Sequence, residues 1–437
     1  MLKKNRIKTI NLSNKKILIQ RADRLGDLVL ALPVIEAIKE RYPDCFIDML
    51  CSNRNAGLVK NHPLINDYTV FDYHLNPSKT EKNTLIEQIK NKQYDVYISL
   101  WGNSFFETIA KRCRIPLSIG PYLSPFSTFN LSQPVKLDWG NSLIHESDFN
   151  LQILSALGIQ SKPIYKLYPS TNNSLIQTNK PVVLFFFGSG KLECMIPELA
   201  IFKCIKVLLN TGKFHVVLCY GQVPEKSSFQ DIDDVNFTNI TVELDLDSLM
   251  ALINRADVYC GPDTGPSHMA AFMHKKCIFL YRTWNDLPTC WGPVSLQSAI
   301  MRFENEDLDT INSWSLRLQN VIQEIYAMKD EMSIDLLKRE RQKASLRCLY
   351  VSNSKGELPA ENAGLEQVKK MGWRIVAVSK NQSFFSRFYT VLWSIRHLGV
   401  NCIVSEKPSL LVAVINKLAP LAAKPRLVQF ALKDLLE

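Results

Sequence analysis

Nowhere in the 437 residues does an apolar run approach the roughly 20 residues that a membrane-spanning helix requires, so no spanning segment is expected. The opening Met1-Leu-Lys-Lys-Asn-Arg-Ile-Lys-Thr is basic but has no apolar stretch of the kind that a secretion signal carries. The eleven cysteines form no Cys-x-x-Cys pair and no ligand set with histidine, which argues for reduced thiols and a cytoplasmic protein. Gly188-Ser-Gly-Lys191 lacks the spacing of a P-loop. Asp-x-Asp triplets begin at Asp231, Asp245 and Asp307, but none follows a buried strand, and Asp247 or Ser248 reads as the cap of a helix over 249–255. No metal site is therefore expected.

What the chain does have is 46% hydrophobic residues, enough for two or three globular domains with proper cores. Its net charge of +10 is uneven, because residues 331–437 hold 17 Lys and Arg against 9 Asp and Glu and so account for eight of those ten charges. A basic surface of this kind suits an anionic membrane face; a solvated basic helix around Lys338-Arg-Glu-Arg-Gln-Lys343 explains it equally well.

Strand and helix signals alternate through the chain. In the first half, strands are expected at 17–20, 46–51, 68–71, 94–100 and 117–120, with helices between most of them. Residues 162–180, rich in Pro, Ser, Thr and Asn, read as a linker. Strands resume at 181–187, 214–220, 258–260 and 277–281, and a closing helix covers 308–328. Two doubly wound α/β lobes facing a cleft follow from this pattern. A third alternation has strands at 348–353, 373–378 and 402–404 and helices at 361–371, 385–398 and 410–418. It faintly resembles the opening of the N-terminal lobe of family 4 glycosyltransferases and is too short to hold a complete enzyme of that kind. The expected domains are thus 1–165, 166–328 and a basic, partial α/β accessory segment at 329–437.

Two turns carry the chemistry. Arg21-Ala-Asp-Arg-Leu-Gly-Asp27 follows the apolar Lys16-Ile-Leu-Ile-Gln20 and leads into a helix over 28–38, irregular near Pro33, with Gly26 allowing a tight backbone turn. Asp27 then lies beyond the carboxyl end of a strand, where open α/β sheets place ligands. Gly261-Pro-Asp-Thr-Gly-Pro-Ser-His-Met-Ala-Ala271 offers side-chain oxygens at Asp263, Thr264 and Ser267, close approach at Gly265, and a helix starting near Ser267 whose N-terminus suits phosphate. The plain alternative is that Asp27, Asp263 or Thr264 is only a helix cap.

Residues 15–328 resemble glycosyltransferase family 9, the heptosyltransferases of lipopolysaccharide synthesis. The first turn matches that family's Arg–x–x–x–x–Gly–Asp segment and Asp263-Thr-Gly-Pro-Ser-His-Met-Ala270 its Asp–Thr–Gly–x–Ser–His–x–Ala segment. Trp291-Gly-Pro293 and the helix around His145-Glu-Ser-Asp-Phe-Asn150 add two more landmarks in the same order. The resemblance implies a GT-B fold and metal-independent, inverting transfer of a sugar, with ADP-heptose as donor and a lipid-linked glycan as acceptor. It implies no cofactor and no nucleic-acid partner, and peripheral contact with the inner membrane is compatible with it.

It also assigns Asp27 as general base, with Asp23 as the alternate, and sets the donor diphosphate against Thr264, Gly265 and the following helix. His268 reads as a structural or phosphate-orienting residue. Lys191 is the expected donor cation, although the family places a Lys two residues before a Trp-Pro pair and this chain has Cys194-Met-Ile-Pro197 instead. Glu225 is a weaker candidate for the donor ribose, with a solvated surface glutamate as its plain reading. Two alternatives stay open: a GT-B transferase with another nucleotide sugar, and a catalytically weakened scaffold.

Overall fold

The computed structural model describes residues 10–60, 62–137, 144–168, 176–188, 195–222, 224–225, 227–282, 288–295, 297–303 and 306–328, and four strands between 347 and 428. The chain divides into two units, one of Met1–Leu137, Glu146–Thr283 and Gly292–Ile334 and the other of Asp138–His145, Trp284–Trp291 and Asp335–Glu437.

The first unit contains two six-stranded sheets. In one, β1 (Lys16–Arg21), β2 (Phe46–Cys51), β3 (Asp67–Val70), β4 (Val96–Ser99), β5 (Leu117–Pro121) and β6 (Gln133–Val135) pair in the order β3-β2-β1-β4-β5-β6. Every pairing is parallel. The helices α1 (Leu25–Val29), α2 (Leu32–Arg41), α3 (Ala56–Lys60), α4 (Lys79–Asn91), α5 (Ser104–Cys113), α6 (Ser127–Asn130) and α7 (Glu146–Ile153) connect and cover it. Buried on both faces, β1 and β4 read as near-continuous apolar runs, as central parallel strands do. The short β6 was not expected, since three residues containing Pro134 give little periodicity.

The other sheet consists of β7 (Val182–Phe187), β8 (His215–Tyr220), β9 (Phe237–Ile240), β10 (Val258–Pro262), β11 (Lys276–Tyr281) and β12 (Ser298–Arg302), in the order β12-β11-β10-β7-β8-β9, again all parallel. Its helices are α8 (Glu198–Asn210), α9 (Leu246–Arg255), α10 (Gly265–Phe272) and, after α11 (Pro288–Trp291) of the other unit, α12 (Leu308–Ala327). One face of α12 buries Ile311, Trp314, Leu318, Ile322 and Ile325, the i, i+3, i+4 rows of a core-facing helix. Counted from its own first strand, each sheet runs 3-2-1-4-5-6, the doubly wound order of dinucleotide-binding folds. The direction of winding therefore reverses between β1 and β4 in one sheet and between β7 and β10 in the other, and ligands bind at such points.

The expected helix over 28–38 is in fact two. α1 stops at Val29 and α2 starts at Leu32 with Pro33 in its second position. Pro33 cannot donate to the Val29 carbonyl four residues back and its ring would collide with it, so the helix breaks there. Asp245 caps α9 by accepting from Ser248 N at 2.7 Å, so the helix begins at Leu246, earlier than expected. Asp307 likewise caps α12 through Thr310 N at 2.8 Å.

In the second unit, β13 (Arg347–Val351), β14 (Arg374–Val378), β15 (Cys402–Ser405) and β16 (Arg426–Val428) form a parallel sheet in the order β14-β13-β15-β16. The first three are the expected strands; the helices expected at 361–371, 385–398 and 410–418 lie outside the described residues. No helix among the described residues is long and apolar enough to cross a membrane.

Candidate active site at two facing turns

Arg21 is the last residue of β1, and its guanidinium is buried and surrounded by acceptors. Nε pairs with the Asp23 carboxylate at 3.0–3.1 Å, Nη1 donates to the Leu100 carbonyl at 2.8 Å and Asn150 Oδ1 at 3.0 Å, and Nη2 donates to Glu146 Oε1 at 3.2 Å. Asp27 Oδ1 lies 3.5 Å from Nη2, close enough for an ion pair but too long for a strong hydrogen bond. Leu100 directly follows β4, so this network sits at the point where the first sheet reverses its winding. Glu146 and Asn150 are one turn apart on α7 and share a face.

Three carboxylates thus share one cation. Burial pushes the Asp23 carboxyl up to about 7; Arg21 pulls it down and the Asp27 charge raises it again. Burial also raises Glu146, against the pull of Arg21. For Arg21, burial disfavours the charge, but Asp23, Glu146 and Asp27 outweigh it and hold the guanidinium above its ordinary value. Carboxylates perturbed in this way cluster at functional sites, and buried ion-pair networks produce the same shifts. Of the three acids, Asp27 is the most accessible, its side chain 18% exposed against 10% for Asp23 and 5% for Glu146.

Asp27 is no helix cap. It lies inside α1, whose N-cap position is Arg24. Gly26 is also inside α1, so it is not needed for a tight turn. What it supplies is contact: a Cβ there would meet His268 Cδ2 at 3.0 Å and the Gly265 backbone at 3.3–3.4 Å. A Cβ on Gly265 would in turn meet Leu25 side-chain atoms at 2.8–3.0 Å. The two glycines bring the first turns of α1 and α10 into direct contact, and with them the two sequence motifs 240 residues apart.

On the second lobe, Thr264 occupies the N-cap position of α10 without a side-chain cap bond, its Oγ1 donating to the Pro262 carbonyl at 3.3 Å. α10 starts at Gly265, two residues before the expected Ser267, and Pro266 is tolerated in its first turn because no helical acceptor awaits its missing N–H. The Ser267 hydroxyl is buried, donating to Pro262 O and lying 3.1 Å from the Tyr259 hydroxyl. His268 is buried too, with Nε2 3.1 Å from Asp263 Oδ1 and its ring edge-on to Phe279 at 5.6 Å. Asp263 therefore orients a histidine rather than capping the helix. Where β7 and β10 diverge, Phe185, Phe187, Gly188, Met195 and Pro262 line an apolar recess.

Lys191 lies outside the described residues. Glu225 is exposed on the turn after β8. Among the described residues no three His, Cys, Asp or Glu side chains form a metal-binding group. Sequence reasoning matched Arg21 to a motif without giving it work to do, and it placed Glu146 and Asn150 in a landmark helix without giving either a role. Their signal was an Asn four residues after a Glu on a helix otherwise apolar on that face.

A family model described as glycosyltransferase family 9 (heptosyltransferase) matches residues 83–313. Lipopolysaccharide heptosyltransferase 3 of Escherichia coli is 25% identical over 296 residues, 62% of this chain and 84% of that protein. Among solved structures, the family 9 glycosyl transferase from Veillonella parvula DSM 2008 superimposes with a TM-score of 0.63 at 15% identity, covering 73% of this chain and 99% of that one. The E. coli ADP-heptose lps heptosyltransferase II gives 0.60 at 17% identity, covering 71% and 98%. With a family match over more than half its length and two facing doubly wound sheets, the chain belongs to glycosyltransferase family 9, the heptosyltransferases.

Proposed function

We propose that the protein transfers a heptose from ADP-heptose, with inversion, onto a lipopolysaccharide core or related glycan acceptor. The observation that carries this reading is the contact between the Asp27 helix and the Gly265 helix, which sets a carboxylate beside a helix N-terminus across one cleft. Asp27 takes the proton of the acceptor hydroxyl as the acceptor oxygen bonds to the sugar C1 and the bond from C1 to the diphosphate breaks. Negative charge then accumulates on the departing ADP, where Thr264, the Gly265 N–H and the positive end of the α10 dipole receive it. That arrangement supplies positive potential without a metal. Asp263 and His268 hold the turn in place, and Ser267 locks it from beneath. The similarity to the E. coli ADP-heptose lps heptosyltransferase II supports the donor.

Turnover of ADP-heptose against UDP- and GDP-hexoses, with truncated lipopolysaccharide cores as acceptors, tests the donor. Mass spectrometry of lipopolysaccharide from a deletion strain tests donor and acceptor together, the expected result being a core short by one heptose. Exclusive turnover of a hexose donor would replace ADP-heptose while leaving the chemistry intact. In the same assay, Asp27→Asn should bind ADP normally and lose about 100-fold or more in turnover; near-normal turnover would move the base to Asp23.

A further inference from the structure

We propose that the segment 122–130, between β5 and β6, docks the protein on an anionic lipid bilayer, with Phe126 and Phe129 entering the interface and Lys111 and Lys136 facing the lipid phosphates. Leu123, Phe126 and Phe129 are 38%, 71% and 69% exposed, and the two phenyl rings lie 6.5 Å apart between centroids. Single exposed apolar residues are ordinary, whereas a cluster of them marks an interaction surface. The segment is firmly held. Ser127, between the two phenylalanines, is buried; its Oγ donates to Glu107 Oε1 on α5 at 2.8 Å and accepts from the Leu123 and Ser124 N–H groups at 3.1 and 3.3 Å. The turn is thus pinned to α5 from beneath while both rings stay in water.

Charge selects the partner. Residues 108–137 contain Lys111, Arg112, Arg114 and Lys136 and no Asp or Glu, a surplus of four, whereas residues 1–330 together carry a surplus of only two. Lys111 lies one turn beyond Glu107 and so on the face of α5 that meets α6, and Lys136 Nζ lies 5.5 Å from the centroid of the Tyr122 ring. Both lysines are exposed, while the neighbouring Glu107 is buried. Arg112 is turned toward α4, where it donates to Asn83. Exposed aromatic rings flanked by cations suit the boundary between water and an anionic membrane, where rings sit at the level of the headgroups and each nearby cation is drawn to the surface. A second copy of the chain fits worse, because a two-fold contact would bring the same cations face to face.

The patch adjoins the site. A Cβ on Gly102 would meet Leu123 Cδ2 at 2.6 Å, so the loop after β4 packs against it, and two residues earlier the Leu100 carbonyl accepts from Arg21. Docking here brings the lobe that carries Asp27 to the bilayer, which serves the lipid-linked acceptor of the proposed function and in that respect rests on it.

The test is sedimentation of the full chain with vesicles of phosphatidylglycerol and phosphatidylcholine in equal parts, and with phosphatidylcholine alone, while light scattering follows the oligomeric state. Wild type should bind the mixed vesicles, more weakly at high salt, and prefer them to phosphatidylcholine. Phe126→Ser with Phe129→Ser should lower that affinity about 100-fold. Lys111→Gln with Lys136→Gln should lower it about 20-fold, and Phe126→Trp should retain it. A wild-type chain that binds neither vesicle overturns the proposal, and so does a serine or glutamine variant that binds as wild type does, since the basic residues 331–437 would then carry the contact. A dimeric wild type made monomeric by the serine substitutions overturns it in favour of a second copy. Should the serine variant not fold, as judged by circular dichroism, the glutamine variant decides. Binding needs neither donor nor acceptor, so a failure of the ADP-heptose reading, seen as absent transfer, is distinguishable from a failure of this one.

Discussion

Gly26→Ala separates contact from conformation, because the two effects of the added methyl have opposite signs. Gly26 lies inside α1, where alanine is favoured over glycine by about 0.5–1 kcal/mol. Against that, the new Cβ would sit 3.0 Å from His268 Cδ2 and 3.3 Å from Gly265 Cα, so something must yield by several tenths of an ångström. His268 is fixed by Asp263 on one side and Phe279 on the other, and the other neighbour is backbone. Overpacking of this kind costs about 1–3 kcal/mol, so the net change in stability should lie between neutral and about 2.5 kcal/mol of loss. Catalysis should suffer more. The methyl relieves its contact by moving α1 away from α10, which displaces Asp27 from the donor turn, and a misplacement of about 1 Å costs on the order of 100-fold in rate. Differential scanning calorimetry and steady-state turnover with ADP-heptose give the two numbers. A variant with wild-type kcat would show that the contact between the two turns does not set the reacting distance, and would remove the main support for the proposed site.

Transfer should proceed undiminished in EDTA, as measured by ADP release; strict dependence on added Mg²⁺ or Mn²⁺ would contradict the role given to the α10 N-terminus. Leu318→Ala, at a fully buried position on α12, should cost about 2–5 kcal/mol by urea denaturation without touching either turn. Burial, aided by the nearby Lys166 charge, pushes His62 down to about 4, so its stabilising contribution is complete above its ordinary pKa of about 6.5 and is lost as pH falls through 4. His62→Phe should therefore flatten acid denaturation across that window. Asp23 runs the other way: with its carboxyl raised to about 7, its contribution is complete below about 4 and lost as pH rises through 7, so Asp23→Asn should gain stability relative to wild type between pH 5 and 8.

The fold was legible because its signals are local. An apolar run such as Ile17-Leu-Ile19 followed by a small-residue turn and an amphipathic stretch can be read within 30 residues, and nine such strands were located in the two lobes. What periodicity does not carry was missed or shifted: the edge strands at Gln133–Val135, Phe237–Ile240 and Ser298–Arg302 were not expected, and the irregularity expected near Pro33 is a full break after Val29. The same limit applied to helix starts. Asp245 precedes an Asp and a Ser that cap equally well on paper, and only the Ser248 N–H geometry selects it.

The site divides along the same line. Asp27 and Thr264-Gly265 were visible because each motif is contiguous and its residue types suit its task. The partners of Arg21 were hidden, because they lie 79, 125 and 129 residues away, at Leu100, Glu146 and Asn150. Sequence shows an arginine six residues before an aspartate and names no partner for it. The folded chain holds that arginine mostly on other acceptors. A buried cation with five donors takes acceptors wherever the fold supplies them, so its partners cannot be read from its neighbours in sequence alone. Those acceptors belong to the candidate site, and a reading confined to the two motifs has no means of finding them.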